Sequence, residues 1–272
     1  FKMFDQNGYV GGAVYNEDNS VSHILTNKRS KLDEIRSSKY IYSLTDELFP
    51  EVKKQLKAGN KVLVCGAPCQ ISGLYTFLKK DYENLITCDF ICKSVNSTKV
   101  FQKYIEWLEN KYKSKAKKIK AKDKTTGWHR FSMRVDFENG KSYVADRYND
   151  PFFVGYLQTE LFTMEACFNC QFRGFPRPAD ITLADFWGIE NVDKTMDQDL
   201  GTSLIIVNSQ KGKEYYESLG DAIVSKEFTL KDAEPGNRAL YEDALNRVDR
   251  DLREAFYKDL DKYPFEKKKK KY

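Results

Sequence analysis

Histidine is nearly absent from this chain: 272 residues hold two, His23 and His129. Imidazole is the usual proton carrier at neutral pH, so a Ser-His-Asp hydrolase has almost no material here. A Gly-rich dinucleotide fingerprint is missing as well. No apolar run approaches the ~18 residues of a membrane helix, which excludes a transmembrane segment. The sequence opens on Phe1, with no initiator Met and no signal peptide. The net charge is +5, but it is local. Residues 111–124 hold eight lysines against one Asp, and 265–271 hold five against one Glu, leaving the remainder acidic. Lysine runs are mostly solvated surface, so no nucleic acid partner is expected. The 111–122 stretch reads as an edge strand protected by charge.

What the chain does have is six cysteines in three close pairs: Cys65 and Cys69, Cys88 and Cys92, Cys167 and Cys170. Lys61–Cys65 and Leu85–Ile91 are short β-prone runs around an amphipathic segment, which predicts a βαβ unit with parallel strands. Ligands of open α/β sheets bind outside the carboxyl ends of the strands, and Cys69 and Cys92 fall there. With Cys167 and Cys170 they make four thiolates. Ligand count alone does not separate tetrahedral zinc from an iron-sulfur cluster. The scarcity of histidine and the separation of the first two ligands favour iron-sulfur. Cys65 and Cys88 lie inside apolar strands and read as packed thiols. Reduced cysteines and no signal peptide point to a cytoplasmic protein.

Gly66-Ala-Pro-Cys-Gln70, Asp89-Phe-Ile-Cys92, Cys167-Phe-Asn-Cys170 and Asp180-Ile-Thr-Leu-Ala-Asp-Phe-Trp-Gly188 follow one another in an order that resembles the coenzyme F420 hydrogenase/dehydrogenase beta subunit family. Ser38-Lys-Tyr-Ile-Tyr-Ser43, Asp123-Lys124 with Gly127-Trp128, and Gly201-Thr-Ser203 extend the similarity across roughly residues 8 to 220. The resemblance implies FAD and a 4Fe-4S cluster, with Cys69, Cys92, Cys167 and Cys170 as metal ligands. It places Ser38, Lys39, Gly66, Pro68, Gln70, Asp185, Trp187, Gly201, Thr202 and Ser203 along the flavin. The implied partners are a small-molecule hydride donor or acceptor, with F420 one possibility, and a redox protein or ferredoxin-like module. Many relatives carry that module at their N-terminus. It is missing here, so the chain is read as a truncated bacterial member. Lys93-Ser94 stands where relatives have His-Gly, and Lys93 is either a tuner of a nearby thiolate or a solvent-facing residue. Competing readings are a zinc-binding scaffold and an iron-sulfur relay without flavin.

The expected class is α/β: a mixed, partly parallel sheet flanked by helices, with additional β-hairpins. Residues 1–220 form the cofactor domain and 221–272 a helical extension with a Lys-rich tail. Hairpins are predicted at Tyr9–Tyr15 with Val21–Thr26, and at Phe131–Phe137 with Tyr143–Ala145. Helices are predicted over Asp46–Lys57, Thr98–Tyr112, Pro151 to about Phe162, Gly212–Leu219 and about Asn237–Leu260, and strands at Ile181–Phe186 and Leu204–Val207. Arg173 and Arg177 supply positive charge to the cluster or bind a phosphate. His129 is either a proton carrier or an exposed loop residue. Asp185 either faces the site or caps a helix, and Trp187 either faces it or packs in the core.

Overall fold

The computed structural model describes residues 2–241, 248–263 and 265. The Lys-rich tail lies outside them. Among the described residues, ten strands form two sheets: β1 Tyr9–Tyr15, β2 Val21–Thr26, β3 Ser43–Leu44, β4 Val62–Cys65, β5 Leu85–Phe90, β6 Ala116–Asp123, β7 Ser132–Phe137, β8 Ser142–Asp146, β9 Ile181–Asp185 and β10 Ser203–Val207. The larger sheet runs β10-β9-β5-β4-β1-β2-β3, and the smaller runs β6-β7-β8. Strands β1, β4, β5 and β9 are mutually parallel, β2 is antiparallel to β1 and parallel to β3, and β10 is antiparallel to β9. This is the expected mixed α/β class.

The βαβ unit is present, with Cys65 directly opposite Cys88. Its helix, Pro68–Leu78, begins with Pro68, which lacks the N–H that a first turn leaves unpaired. Ile71, Leu74 and Leu78 turn its apolar side onto Val62, Val64 and Leu85. The Leu48–Lys57 helix starts two residues later than expected and ends as predicted at Gly59, whose φ of 82° lets Asn60 donate to the Gln55 carbonyl at 3.1 Å. Both hairpins form in the expected places, and lysine-rich β6 is an edge strand. The Thr98–Tyr112 helix sends Phe101, Tyr104, Ile105 and Leu108 into the largest core cluster.

Two helices differ from expectation. Pro151 does not open a helix to Phe162: one α-turn at Pro151–Phe153 passes into a π-helix at Val154–Gln158. Glu160, at φ 57°, then reverses the chain, and Phe162 folds back onto Gly155, where a side chain would overlap its ring. Nor is there a continuous charged helix from Asn237. The 3-10 turns Glu234–Gly236 and Arg238–Leu240 precede a separate helix, Arg250–Lys258, capped by Asp249. Pro235 removes a backbone donor there, and Leu240 is buried, which ties the segment to the body. The intervening 242–247 fall outside the described residues. The helix expected at Gly212–Leu219 runs over Gln210–Glu217, with the Ser209 hydroxyl as its cap.

Phe256, Leu260 and Phe265 join the same core as Phe101, Tyr104 and Phe162, so the last segment packs into the body of the molecule. Among the described residues no helix is long and apolar enough to cross a membrane.

Candidate functional site

Because β1, β4, β5 and β9 are parallel, the chain leaves all four at one edge of the sheet. Cys65-Gly66, Phe90-Ile91-Cys92 and Asp185-Phe-Trp187 exit there, and antiparallel β10 enters there through Gly201-Thr-Ser203. Isolated bridges from Ile41 to Asn96 and from Asn96 to Thr163 bring the Ser38–Ile41 and Thr163–Cys170 segments to the same edge. A 3-10 turn, Glu165–Asn169, presents the C-x-x-C, with the Cys167 N–H donating to the Met164 carbonyl at 3.0 Å. The amide of Val95, three residues past Cys92, points at Cys167 Sγ from 3.5 Å.

The six thiols fall into two electrostatic sets. Burial pushes the Cys69 thiol up, and Cys167 and Cys170 push it further. Cys92 is raised well above the ordinary thiol range, first by burial and then by Cys167, Cys69 and Cys170. Cys167 is raised by burial and by Cys170, while the Val95 amide and the Arg173 guanidinium pull it back. These four sulfurs therefore face one another. Burial pushes Cys65 up to about 11, and Cys88 higher still, with Cys65, opposite it in the sheet, raising Cys88 further. That pair forms a separate apolar contact between strands.

The spacing of the four sulfurs bears on which group fits. Four thiolates about 2.3 Å from one zinc stand ~3.8 Å apart. Among the described residues, the one set of three or more ligand-type side chains whose donor atoms all lie within 4.8 Å is His129, Glu190 and Asp197. No three of the cysteine sulfurs are that close. A four-iron cluster, with a metal at each ligated corner, needs a wider quartet. Four thiol ligands match the donor sets of both groups.

Basic residues expected near the cluster are divided. Arg173 donates to the Lys93 carbonyl at 2.8 Å and its charge favours the thiolate forms of Cys92 and Cys167. Arg177 does not face the site. It is buried at 1% side-chain exposure against Asp89 at 0%, 3.0 Å apart, and also donates to the Phe90 and Phe172 carbonyls and to Thr182 Oγ1. One guanidinium thus ties together the ends of β5, the cysteine loop and β9. Lys93 is partly exposed, and its ammonium pairs with buried Glu160 at 3.0 Å and donates to the Leu157 carbonyl.

The other sequence-predicted residues occupy two corners. In the first, Gln70 accepts from the Ala67 N–H at 2.9 Å and donates to the Ser43 carbonyl at 2.9 Å. Gly66 leaves room there, since a Cβ would stand 3.3 Å from Gln70 Oε1 and 3.6 Å from His23 Nε2. Pro68 opens the helix and Cys69 follows it. His23 bridges Ser43 Oγ at 2.7 Å and the Cys65 carbonyl at 3.1 Å, and burial holds it down to about 4, so it is neutral at pH 7. Lys39 donates to the carbonyls of Glu34, Ile35, Arg36 and Ser37, and burial lowers it to about 8. Ser38 hydrogen-bonds Tyr40.

In the second corner, Asp185 accepts from Trp128 Nε1 at 3.2 Å and pairs with Lys122. Its carboxylate faces the site rather than capping a helix. Trp187 is half-buried and stacked on Trp128 at 4.5 Å and 4°, with Lys122 and Arg147 over its ring at 5.4 and 5.6 Å. Gly201, at φ 94°, lies where a Cβ would meet Lys124 Nζ at 2.7 Å and Trp128 Cδ1 at 3.0 Å. The Thr202 hydroxyl is engaged by the Met196 carbonyl, and Ser203 pairs with Asp185 in the sheet. The Thr202 hydroxyl is thus committed within the protein, whereas Gly201 and Ser203 are exposed.

The sequence reading assigned no role to His23, Tyr40, Lys122 or Arg147. Tyr40 joins the corners to the sulfurs: its hydroxyl, raised mainly by burial, also feels the charges of Asp185 and Arg147, its ring lies 5.5 Å from Tyr156, and Tyr156, raised first by burial, also feels Cys92 and Cys167. Tyr40 sat inside a quoted motif. Lys122 comes from β6 and Arg147 directly follows β8, and no local pattern marked them.

No curated protein matches the chain. One chain of a solved structure, the xenon-derivatized F420-reducing NiFe hydrogenase complex from Methanosarcina barkeri, shares the fold with a TM-score of 0.56 at 16% identity, over 93% of this chain and 81% of that one. Residues 59–235 match the family model for the C terminus of the coenzyme F420 hydrogenase/dehydrogenase beta subunit. That span contains all four facing sulfurs and the Trp128–Asp185–Trp187 corner. The chain belongs to the coenzyme F420 hydrogenase/dehydrogenase beta subunit family.

Proposed function

We propose that this protein is an oxidoreductase subunit that holds a 4Fe-4S cluster on Cys69, Cys92, Cys167 and Cys170 and FAD along the neighbouring sheet edge. The observation that carries the reading is the sorting of six thiols into a facing quartet and a separate packed pair. A flavin takes a hydride as two electrons and releases them singly, and a cluster moves one at a time. Arg173 and the Val95 amide stabilise thiolate at the quartet. Lys122 and Arg147, held over Trp187, place positive charge beside Asp185, as an anionic cofactor requires. Tyr40 and Tyr156 fill the space between this corner and the sulfurs and keep it dry. The small-molecule partner is a hydride donor or acceptor, and coenzyme F420, carried in the family's name, is the first to try. A ferredoxin-like redox partner completes the electron path.

Anaerobic purification followed by an absorption spectrum and assays for iron, zinc and flavin tests this. Four irons and one FAD per chain are expected. Zinc without colour would reject the cluster, and iron without flavin would reduce the protein to a relay.

A further inference from the structure

His129, Glu190 and Asp197 come from three segments: the loop between β6 and β7, the short helix Ile189–Val192, and the chain just after the 3-10 turn Lys194–Met196. One donor atom of each lies within 4.8 Å of the other two. His129 Nε2 already stands 2.9 Å from Asp197 Oδ2. Glu190 Oε2 is buried and, among the described residues, has no hydrogen-bond partner. A buried carboxylate oxygen without a donor is costly, and a cation between it and the other two ligands removes that cost. The surrounding backbone orients the set. Asp197 Oδ1 accepts from the Asp199 N–H at 3.1 Å, and Asp199 Oδ1 accepts from the His129 N–H at 2.8 Å. Gly127, at φ 86°, permits this approach, because a side chain there would overlap Asp199.

We propose that His129, Glu190 and Asp197 form a binding site for one divalent transition-metal ion, distinct from the cysteine quartet. One imidazole and two carboxylates suit zinc, manganese or iron(II), with open positions left for water. The ion fastens the Trp128 loop to the segment running into Gly201. Because the His129 ring lies 4.8 Å from that of Trp128, which stacks on Trp187, it also fixes the indole pair beside Asp185.

Manganese(II) is the probe, because a hard ion avoids the thiolates. Titration of the purified protein, followed by loss of the free-ion electron paramagnetic resonance signal and by quenching of tryptophan fluorescence, is expected to give one site per chain. Glu190→Gln and Asp197→Asn should each weaken binding at least about tenfold, with circular dichroism unchanged, whereas replacing an exposed carboxylate outside the set, Asp33→Asn, should leave binding as in the parent. If the parent binds no manganese, if Glu190→Gln and Asp197→Asn bind like the parent, or if Asp33→Asn abolishes binding, the proposal is wrong. Should either carboxylate variant misfold, His129→Gln provides the same comparison.

Discussion

Cys65 and Cys69 are four positions apart, yet one side chain packs against Cys88 and the other faces the quartet. Replacing Cys69 or Cys170 by Ser should abolish the iron content of the purified protein. Cys65→Ser and Cys88→Ser should keep it and cost only packing, about 1–3 kcal/mol for a buried hydroxyl, read from urea denaturation. Equal iron loss in all four variants would overturn the assignment. Two other buried groups act in opposite senses on pH stability. His23 is held down to about 4 by burial, so the unfolded chain takes its proton first and this residue costs stability as pH falls below ~6.5. Asp150, which accepts from Tyr104 at 2.7 Å and Tyr143 at 2.9 Å, is raised by burial to about 6. The folded state protonates it first, so it adds stability as pH falls through 6. Between pH 7 and 5, His23→Gln should lose less stability than the parent by about 2 kcal/mol, and Asp150→Asn should lose about 1 kcal/mol more. Urea midpoints at the two pH values decide both.

At the scale of elements, the parallel strands do most of the positioning, and Arg177 locks them. Its ion pair with Asp89 is buried on both sides, and removing one partner of such a pair typically costs about 3–5 kcal/mol. Arg177→Met should therefore destabilise the fold by that amount and loosen the quartet, lowering iron occupancy in the folded fraction. Iron retained at parent level would show that Arg177 serves stability alone. Much at this scale was legible. Alternating apolar residues gave both hairpins, Gly59 gave a helix end, and the β-prone runs flanking residues 66–84 gave the parallel unit, because those signals are local. The π-helix after Pro151 was not legible. Val154–Gln158 has ordinary helical composition, and its conformation is set by Phe162 folding onto Gly155 and by the Lys93–Glu160 pair, both of which are tertiary contacts. The role of Arg177 was hidden for the same reason: near cysteines an arginine reads as a site charge, and only burial with Asp89 shows otherwise.

For the whole molecule, the last segment belongs to the main core. Phe256 and Phe265 lie 5.2 and 6.3 Å from Phe162 by ring centroids, and Phe265 lies 5.5 Å from Tyr104. Truncation after residue 248 should uncover these rings, lower the thermal midpoint sharply and produce dye-binding apolar surface. A truncated chain melting like the parent would contradict this packing. The candidate site was legible in part. The motifs named the sulfurs and Asp185, but not Lys122 and Arg147, which converge on the same corner, since the sequence carries no mark of where β6–β8 dock. The order of the pieces along the chain also sets a timetable for synthesis. A growing polypeptide can pair β1, β4 and β5 once residue 90 has emerged, but the third and fourth sulfurs arrive only with residues 167 and 170. For that interval Cys69 and Cys92 wait at an unfinished edge, so oxidants and stray metals have their best opportunity before the molecule is complete.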